Sequence, residues 1–349
     1  MIQKTSPLRR ATLMAAACLA LCSGAAFAEV KAKIGHAMPD SHPQAMAMNK
    51  FSELAAQYTG NNVKIQVFHG AVLGSDEKQL QAVQAGTQEM YIGTLAPLSS
   101  KVKEVQIWDL PFMFANEKEV YAVLDGASSK TIFQKIEPSG LVGLTWTGMG
   151  FRNLSNSKRA VTKLEDVSGL KVRVMANPVA LETWKTIGAN AVPMAFSEVF
   201  PALETKALDG QENPLVHMYA NKMQEVQKHI SLTNHVYTPV ALVASKKFWD
   251  TLSASDKAGV QKAATEAGLP GFTAYTWVGA MVSAKTPKAE TDKLASLLTA
   301  IERLPETREF YERLGAEVMN GGPEEMRAFQ ASEIKLWKRI ATSAKVELQ

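Results

Sequence analysis

Residues 169–214 have the sequence GLKVRVMANPVALETWKTIGANAVPMAFSEVFPALETKALDGQENP, in which strand and helix patterns alternate. The first residues alternate between apolar and basic side chains, as in a strand with one buried face. Asn177 and Pro178 then begin a helix, and AVPM at 191–194 is the next strand. Repeated strand–helix–strand units predict an α/β fold with a parallel sheet, in which ligands bind beyond the carboxyl ends of the strands.

The end of this stretch, ALDGQENP at residues 207–214, is predicted to form a loop. Ser197 is expected to cap the helix that precedes it. An Asp-Gly turn signal lies within the loop, and Pro214 disfavours a helical conformation at the residue before it. Asn213 therefore has two candidate roles: it is the N-cap of a helix that begins at Pro214, or it contacts a ligand.

The same order of elements is predicted nearer the N-terminus. Strands are expected at 31–36, 63–68 and 89–94, with helices at 43–58 and 76–85 between them. Two further strands are expected at 141–147 and 237–245. This arrangement predicts two α/β lobes of similar plan that are connected by more than one crossing of the chain. The expected lobes comprise residues 29–150 with about 238–268, and residues 151–237 with part of 269–349.

The first 28 residues, MIQKTSPLRRATLMAAACLALCSGAAFA, have the pattern of a secretory signal. A basic start and a short apolar run precede an A-x-A motif that ends at Ala28. We expect cleavage after Ala28 and export to the periplasm. Both cysteines, Cys18 and Cys22, lie in this segment, so the mature chain would have no disulfide, thiolate nucleophile or cysteine metal site.

The charge of the mature chain is nearly balanced. The whole sequence has 38 basic and 34 acidic residues, and removal of the three basic residues of the signal leaves 35 against 34. This balance argues against nucleic acid and anionic membrane surfaces as partners. No later apolar stretch is long enough to span a bilayer. We expect an exported, soluble monomer.

Catalytic signatures are missing from the sequence. It contains no G-x-S-x-G, H-E-x-x-H or G-x-x-x-x-G-K motif, and GMGFRN at 148–153 lacks the third glycine of a dinucleotide site. His36, Asp40 and His42 would form a partial metal site or, as the commoner outcome, a solvated loop. We therefore expect no catalytic residue, no cofactor and no metal.

Groups suited to binding an anion lie at the predicted strand ends. Arg152 follows the strand at 141–147 and its glycine turn, and Arg173 is on the polar side of a mostly apolar strand. Taken singly, Arg152 would be a surface residue and Arg173 would pair with a neighbouring carboxylate. Together with Asn213 they fit a carboxylate clamp, because guanidinium binds a carboxylate through two parallel hydrogen bonds. Four aromatic residues either cover the ligand or belong to the core: Trp146, Phe151, Phe196 and Phe200.

The segment at 169–214 closely resembles the signature of TRAP (tripartite ATP-independent periplasmic) transporter solute-binding proteins of the DctP type. Five further segments match the family in order: IGHAMPDSHP, GAVLGSDEKQLQAVQAGTQEM, WDLPFMFAN, GFRNLSNSKR and EVQKHISLTNHVYTPVALVASKKFWDTL. The resemblance covers about residues 30–265. It implies a two-lobed α/β fold that closes on a small organic acid and delivers it to the membrane subunits of a secondary transporter.

The resemblance also implies a set of ligand-binding residues. Arg173 matches the arginine that grips the ligand carboxylate in the family, and three other pocket positions are matched by Arg152, Asn213 and Phe196. His36 and Glu77 lie on segments that line the first-lobe side. These residues form the expected binding site.

The C-terminal part, about residues 266–349, resembles a different family. EAGLPGFTAYTWVGAMVSAKTPKAETDKL and LGAEVMNGGPEEMRAFQASEIKLWKRI are similar to the binding proteins of tripartite tricarboxylate transporters. The chain is thus interpreted as a fusion of two families of exported organic-anion binders, and we expect its tail to be more sensitive to protease than the lobes.

Two alternative functions fit the same pocket. One is a periplasmic enzyme acting on acidic sugars or organic acids, and the other is a receptor that presents its ligand to a sensor. An enzyme would need a nucleophile or general base near the clamp, for which the sequence offers His36, Asp76 and Glu77.

Overall fold

The computed structural model describes residues 29–267, 282–283, 285–313, 318 and 322–343. The predicted signal segment lies outside the described residues, and the predicted family junction near 264–270 lies partly outside them. The chain divides into two compact units, 1–272 and 273–349, each of which is described by itself.

The first unit contains eight strands and nine α-helices among its described residues. The strands are β1 (Val30–Gly35), β2 (Val63–Phe68), β3 (Met90–Gly93), β4 (Leu141–Asn156), β5 (Lys171–Val174), β6 (Asn190–Pro193), β7 (Gly210–Pro214) and β8 (His229–Ser245). The helices are α1 (Pro43–Tyr58), α2 (Asp76–Ala85), α3 (Glu117–Leu124), α4 (Ala127–Ile136), α5 (Pro178–Thr186), α6 (Val199–Glu204), α7 (Leu215–Ala220), α8 (Lys246–Thr251) and α9 (Ala254–Ala267).

All eight strands form one sheet in the order β2-β1-β3-β8-β4-β7-β5-β6. The two ends of the sheet are parallel, as the strand–helix–strand pattern predicts. The prediction of a parallel sheet is wrong for the middle of the sheet, where β8 pairs antiparallel with β3 and β4, and β4 pairs antiparallel with β7. The two long strands β4 and β8 lie side by side in the middle of the sheet and run in opposite directions.

Strand β4 is longer than the sequence predicts. The expected glycine turn at 148–150 does not end it, and the strand continues to Asn156 with register shifts against β8. Gly150 has φ +108°, a conformation that L side chains rarely adopt, so the strand is irregular but unbroken there. The continuation matters for the site because it carries Arg152 into the middle of the sheet.

Residues 210–214 form strand β7 rather than a loop, which corrects the prediction for ALDGQENP. Its five residues are all buried, because β7 lies between β4 and β5. The prediction of a solvent-exposed loop is based on the polar residues at these positions. Asn213 is also not an N-cap: helix α7 begins after Pro214, which has no side-chain capping bond.

The cap expected at Ser197 is also absent. Phe196–Glu198 form a short 3-10 turn, and helix α6 begins at Val199 without a side-chain cap. Other helix ends follow the sequence signals. The Asn177 side chain accepts a hydrogen bond from Ala180 N at 2.8 Å, and Gly86 ends α2 with φ +79°.

Four buried apolar clusters cover the two faces of the sheet. Two of them lie on the half that contains β1, β2 and β3, centred on Phe51 and Tyr91. The other two lie on the half that contains β5 and β6, centred on Trp184 and Leu203. Strands β4 and β8 extend through both halves, so the middle of the sheet is where polar residues collect.

The second unit contains the helices α10 (Lys288–Glu302), α11 (Pro305–Arg313) and α12 (Pro323–Ser343). In α10 the apolar side chains of Leu294, Leu297, Leu298 and Ile301 are exposed. Within the described parts of the chain, no helix combines the length and apolar character that a membrane span requires.

Candidate functional site

Three neighbouring strands bring together the basic and amide residues that the sequence singles out. Arg152 lies on β4, Asn213 on β7 and Arg173 on β5, and the strand order is β4-β7-β5. Arg152 is paired in the sheet with Pro214, the neighbour of Asn213, and Arg173 is paired with Gln211. The two arginines therefore flank the same short strand.

Arg152 is buried and forms an ion pair with Glu212. Its Nη2 donates to Glu212 Oε1 at 2.8 Å, its Nε donates to Glu212 Oε2, and its Nη1 donates to Thr238 Oγ1 at 3.0 Å. The alternative of a surface arginine is wrong, since Arg152 is 2% exposed. Most of its donors are used within the protein, so its positive charge is already compensated.

Glu212 is the acceptor at the centre of this cluster. Besides Arg152 it contacts His235, with 3.1 Å between Oε2 and Nε2. Burial alone raises the pKa of Glu212, but Arg152 and the hydrogen bond with His235 outweigh it and hold the pKa at about 2. Neither Glu212 nor His235 was identified from the sequence. The signal that could have found Glu212 is its position inside the family-like stretch, directly before Asn213.

Arg173 differs from Arg152 because its charge has no counter-ion in direct contact. The side chain is 4% exposed, and its Nε donates to the Met194 carbonyl at 2.9 Å. Among the described residues, Nη1 and Nη2 have no hydrogen-bond or ion-pair partner. Burial and the charge of Arg152 lower the pKa of Arg173 to about 10, so it stays protonated at neutral pH. The alternative of pairing with a neighbouring carboxylate is therefore wrong, and both terminal NH2 groups of Arg173 are available to bind an anion.

Asn213 is held by a row of side-chain hydrogen bonds along β7. Its Nδ2 donates to Gln211 Oε1 at 2.5 Å, and Gln211 Nε2 donates to Ser155 Oγ at 2.7 Å. Its Oδ1 accepts from Arg152 Nη2 at 3.2 Å. The amide is thus oriented from both sides and retains one N–H for a ligand.

Acidic residues from the other half of the sheet face Arg173. Asp76 and Glu77 lie in the first turn of α2, both half-buried, and their negative charges act on Arg173. Burial raises the pKa of Asp76 to about 6, opposed by a hydrogen bond from Tyr91. Arg173 at one side and Asp76 with Glu77 at the other give the site a positive and a negative end.

The histidines are paired with one another. His36 is fully buried; its Nδ1 accepts from Met38 N at 3.1 Å, and its Nε2 lies 2.9 Å from His69 Nδ1. No ring nitrogen of His36 is left for a ligand, so this structure does not support the expected contact. His42 and His217 are paired in the same way, with 3.2 Å between His42 Nε2 and His217 Nδ1. Burial lowers the pKa of His36 to about 3 and the pKa of His42 to about 4. Across the described residues, no three metal-binding side chains are grouped to hold an ion.

The candidate aromatic residues divide between core and site. Trp146 stacks on Phe133 with ring centroids 4.7 Å apart, and Phe151 contacts Tyr237 edge-on at 5.1 Å, so both belong to the core. Phe196 is half-buried, and its ring centroid lies 5.9 Å from Arg173 Cζ. Phe196 is therefore the candidate that lies next to the free guanidinium.

A family model described as bacterial extracellular solute-binding protein, family 7 (DctP), matches residues 34–293. The chain belongs to this family. The match confirms the resemblance seen in the sequence and extends beyond residue 265. Family members are periplasmic solute-binding proteins. The resemblance of the tail to tricarboxylate-transporter binding proteins stays a prediction.

Named relatives agree with this assignment. The C4-dicarboxylate-binding periplasmic protein DctP of Rhodobacter capsulatus is 35% identical over 251 residues, which are 71% of this chain and 74% of that protein. The galactonate complex of a sugar acid binding protein from Advenella mimigardefordensis has a TM-score of 0.68 and 40% identity, covering 69% and 78% of the two chains. A TRAP periplasmic solute-binding protein from a Polaromonas species, bound to D-erythronate, has a TM-score of 0.67 and 32% identity, covering 90% and 95%. These neighbours confirm the two-lobed α/β solute-binding fold.

Proposed function

We propose that this DctP-family protein captures a small organic acid by its carboxylate and delivers it to the membrane subunits of a TRAP-type secondary transporter. The observation that carries the proposal is the free guanidinium of Arg173, which is buried, charged and without an ion-pair partner among the described residues. A carboxylate that accepts two hydrogen bonds from Nη1 and Nη2 would compensate this charge. Phe196 lies beside it, and Asn213 lies on the neighbouring strand β7, two residues beyond the sheet partner of Arg173, Gln211. Both would bind the same ligand.

The ligand that fits this site best is a polyhydroxy monocarboxylate, such as an aldonate. Asp76 and Glu77 would accept hydrogen bonds from hydroxyl groups at the far end of the ligand. The same two carboxylates would repel a second carboxylate of a dicarboxylic acid. The relatives include a C4-dicarboxylate-binding protein and binders of galactonate and D-erythronate. The acidic wall formed by Asp76 and Glu77 would favour the second kind of ligand in this chain.

A thermal-shift comparison of D-galactonate and succinate tests the ligand class. At 100 times its dissociation constant a ligand stabilises the folded state by about 2.7 kcal/mol, which raises the unfolding temperature measurably. We expect this rise with galactonate and little or none with succinate at the same concentration. A larger rise with succinate would contradict the assignment of the acidic wall. No rise with any organic acid would contradict the proposed function itself.

We also propose how the mature protein is divided into lobes and where its signal segment is cleaved. The half with β1, β2 and β3 would form one lobe and the half with β5 and β6 the other, and they would close on the ligand as a monomer. Cleavage after Ala28 would produce a mature chain that begins at Glu29. The intact mass of the periplasmic protein tests the cleavage, and a lipid-modified mass at Cys22 would contradict it.

A further inference from the structure

A small cavity with a mainly apolar lining and a few polar groups lies beside the Arg152–Glu212 cluster. Its lining includes Trp108, Asp109, Trp146 and Thr238. The cavity volume accessible to the centre of a water molecule is about 10 Å³, which is enough for one water. Thr238 also accepts the hydrogen bond from Arg152 Nη1, so one side chain contacts both the cavity and the cluster.

Two of the lining residues have a hydrogen-bond donor without a partner among the described residues. The indole Nε1 atoms of Trp108 and Trp146 are both buried and unpartnered among the described residues. The two rings lie close together, with centroids 5.4 Å apart, and Trp108 is only 7% exposed. Buried N–H groups are almost always hydrogen-bonded, so these two require an acceptor.

Asp109, which also lines the cavity, has a hydrogen-bond acceptor without a partner among the described residues. Its side chain is 6% exposed and has no hydrogen bond or ion pair within the described part of the chain. It lines a second small cavity together with Arg152, Glu212 and His235. Burial raises the pKa of Asp109 to about 7, with Arg152 lowering it and Glu212 raising it further. The pKa of this carboxyl group is thus well above the ordinary range of aspartate.

We propose that the cavity is a buried water site, in which one water accepts hydrogen bonds from the indole N–H groups of Trp108 and Trp146 and donates to the Asp109 carboxyl group. A water has two lone pairs and two hydrogens, so it satisfies both donors and the acceptor at once. Its remaining hydrogen is available to Thr238. The site connects Asp109 to Arg152 through Thr238, and it involves no residue proposed to touch the ligand.

Indole ¹H–¹⁵N NMR of the ligand-free, full-length mature protein tests this site. We expect the Trp108 and Trp146 signals to shift together as the pH is raised from 5 to 9, with one midpoint near the pKa of Asp109, about 7. Both should exchange magnetisation with a bound water. Trp249, on helix α8, is the internal control and should not shift with this midpoint.

The matched variant is Asp109→Asn, which keeps the shape of the side chain and removes its titration. It should abolish the common midpoint while leaving the contact with water in place. Two indole signals that do not respond to pH in the native protein, or the same midpoint in the variant, would overturn the proposal. Shifts that depend on chloride concentration would identify an anion in the cavity and would also overturn it. Because no ligand is used, these outcomes are independent of the proposed transport function.

The stability of the same variant gives a second measurement. The folded-state pKa of Asp109, about 7, lies above the ordinary aspartate value of 3.8, so its contribution to stability is complete below pH 3.8 and is lost as the pH rises from there through 7. Asp109→Asn should therefore unfold at a higher temperature than the native protein at pH 8.5. At pH 5, which lies between the two pKa values, the difference in unfolding temperature should be smaller. A lower unfolding temperature of the variant at pH 8.5 would contradict the ionisation of Asp109 in this cavity.

Discussion

Replacement of Arg173 by lysine is expected to weaken the binding of D-galactonate about 10- to 100-fold, although the positive charge is kept. An ammonium group does not reproduce the planar pair of N–H donors that binds a carboxylate. A hydrogen bond to a charged group contributes about 1.5–3 kcal/mol, and the loss of one such bond corresponds to this range. Isothermal titration calorimetry of the native protein and Arg173→Lys measures the difference.

The matched control is the same substitution at Arg159. This arginine is exposed and donates to the backbone carbonyls of Asp166 and Ser168, away from the strands that carry the clamp. Arg159→Lys should leave galactonate affinity unchanged. If Arg173→Lys also retained native affinity while remaining folded, the ligand would not be bound by a planar guanidinium, and Arg173 would have only a structural role.

Replacement of Glu212 by glutamine should have the largest effect on stability. It leaves the buried Arg152 without a counter-ion, and breaking a buried ion pair in this way destabilises proteins by about 3–5 kcal/mol. His235 also loses the carboxylate that its Nε2 contacts at 3.1 Å. Chemical denaturation at neutral pH should show a lower midpoint for Glu212→Gln.

Two further variants complete this test. Glu53→Gln removes the carboxylate of an exposed pair with Lys50 and should change the stability by no more than about 1 kcal/mol. The double variant Glu212→Gln with Arg152→Met should lose less stability than the sum of the single variants, since it leaves no unpaired buried charge. Native stability in Glu212→Gln would contradict the role of the ion pair at the centre of the sheet.

The strand–helix–strand ends of the sheet could be predicted from local sequence alone. Helix α1, helix α2 and strand β2 have the predicted bounds, because capping residues, glycines and alternating apolar residues mark them within the segments themselves. The middle of the sheet could not be predicted in this way. Strand β7 is buried by β4 and β5, which come from distant parts of the chain, and no local pattern records that burial.

The same distinction applies to the site. Arg173 and Asn213 could be identified as anion-binding candidates because guanidinium and amide groups at predicted strand ends are suited to carboxylates. The buried ion pair of Arg152 could not be predicted, since its partner Glu212 lies 60 residues away in a segment interpreted as a loop. The pairing of His36 with His69 could not be predicted either, because it depends on the turn after β2, which brings the two rings together.

The central claim is that the protein recognises its ligand by the carboxylate. The most direct test is calorimetric titration with D-galactonate and with galactitol, its uncharged analogue that has a hydroxymethyl group in place of the carboxylate. The account predicts that galactonate binds and that galactitol gives no measurable heat at the same concentrations, because Arg173 would be left buried without an anion. Comparable affinity for galactitol would contradict the account.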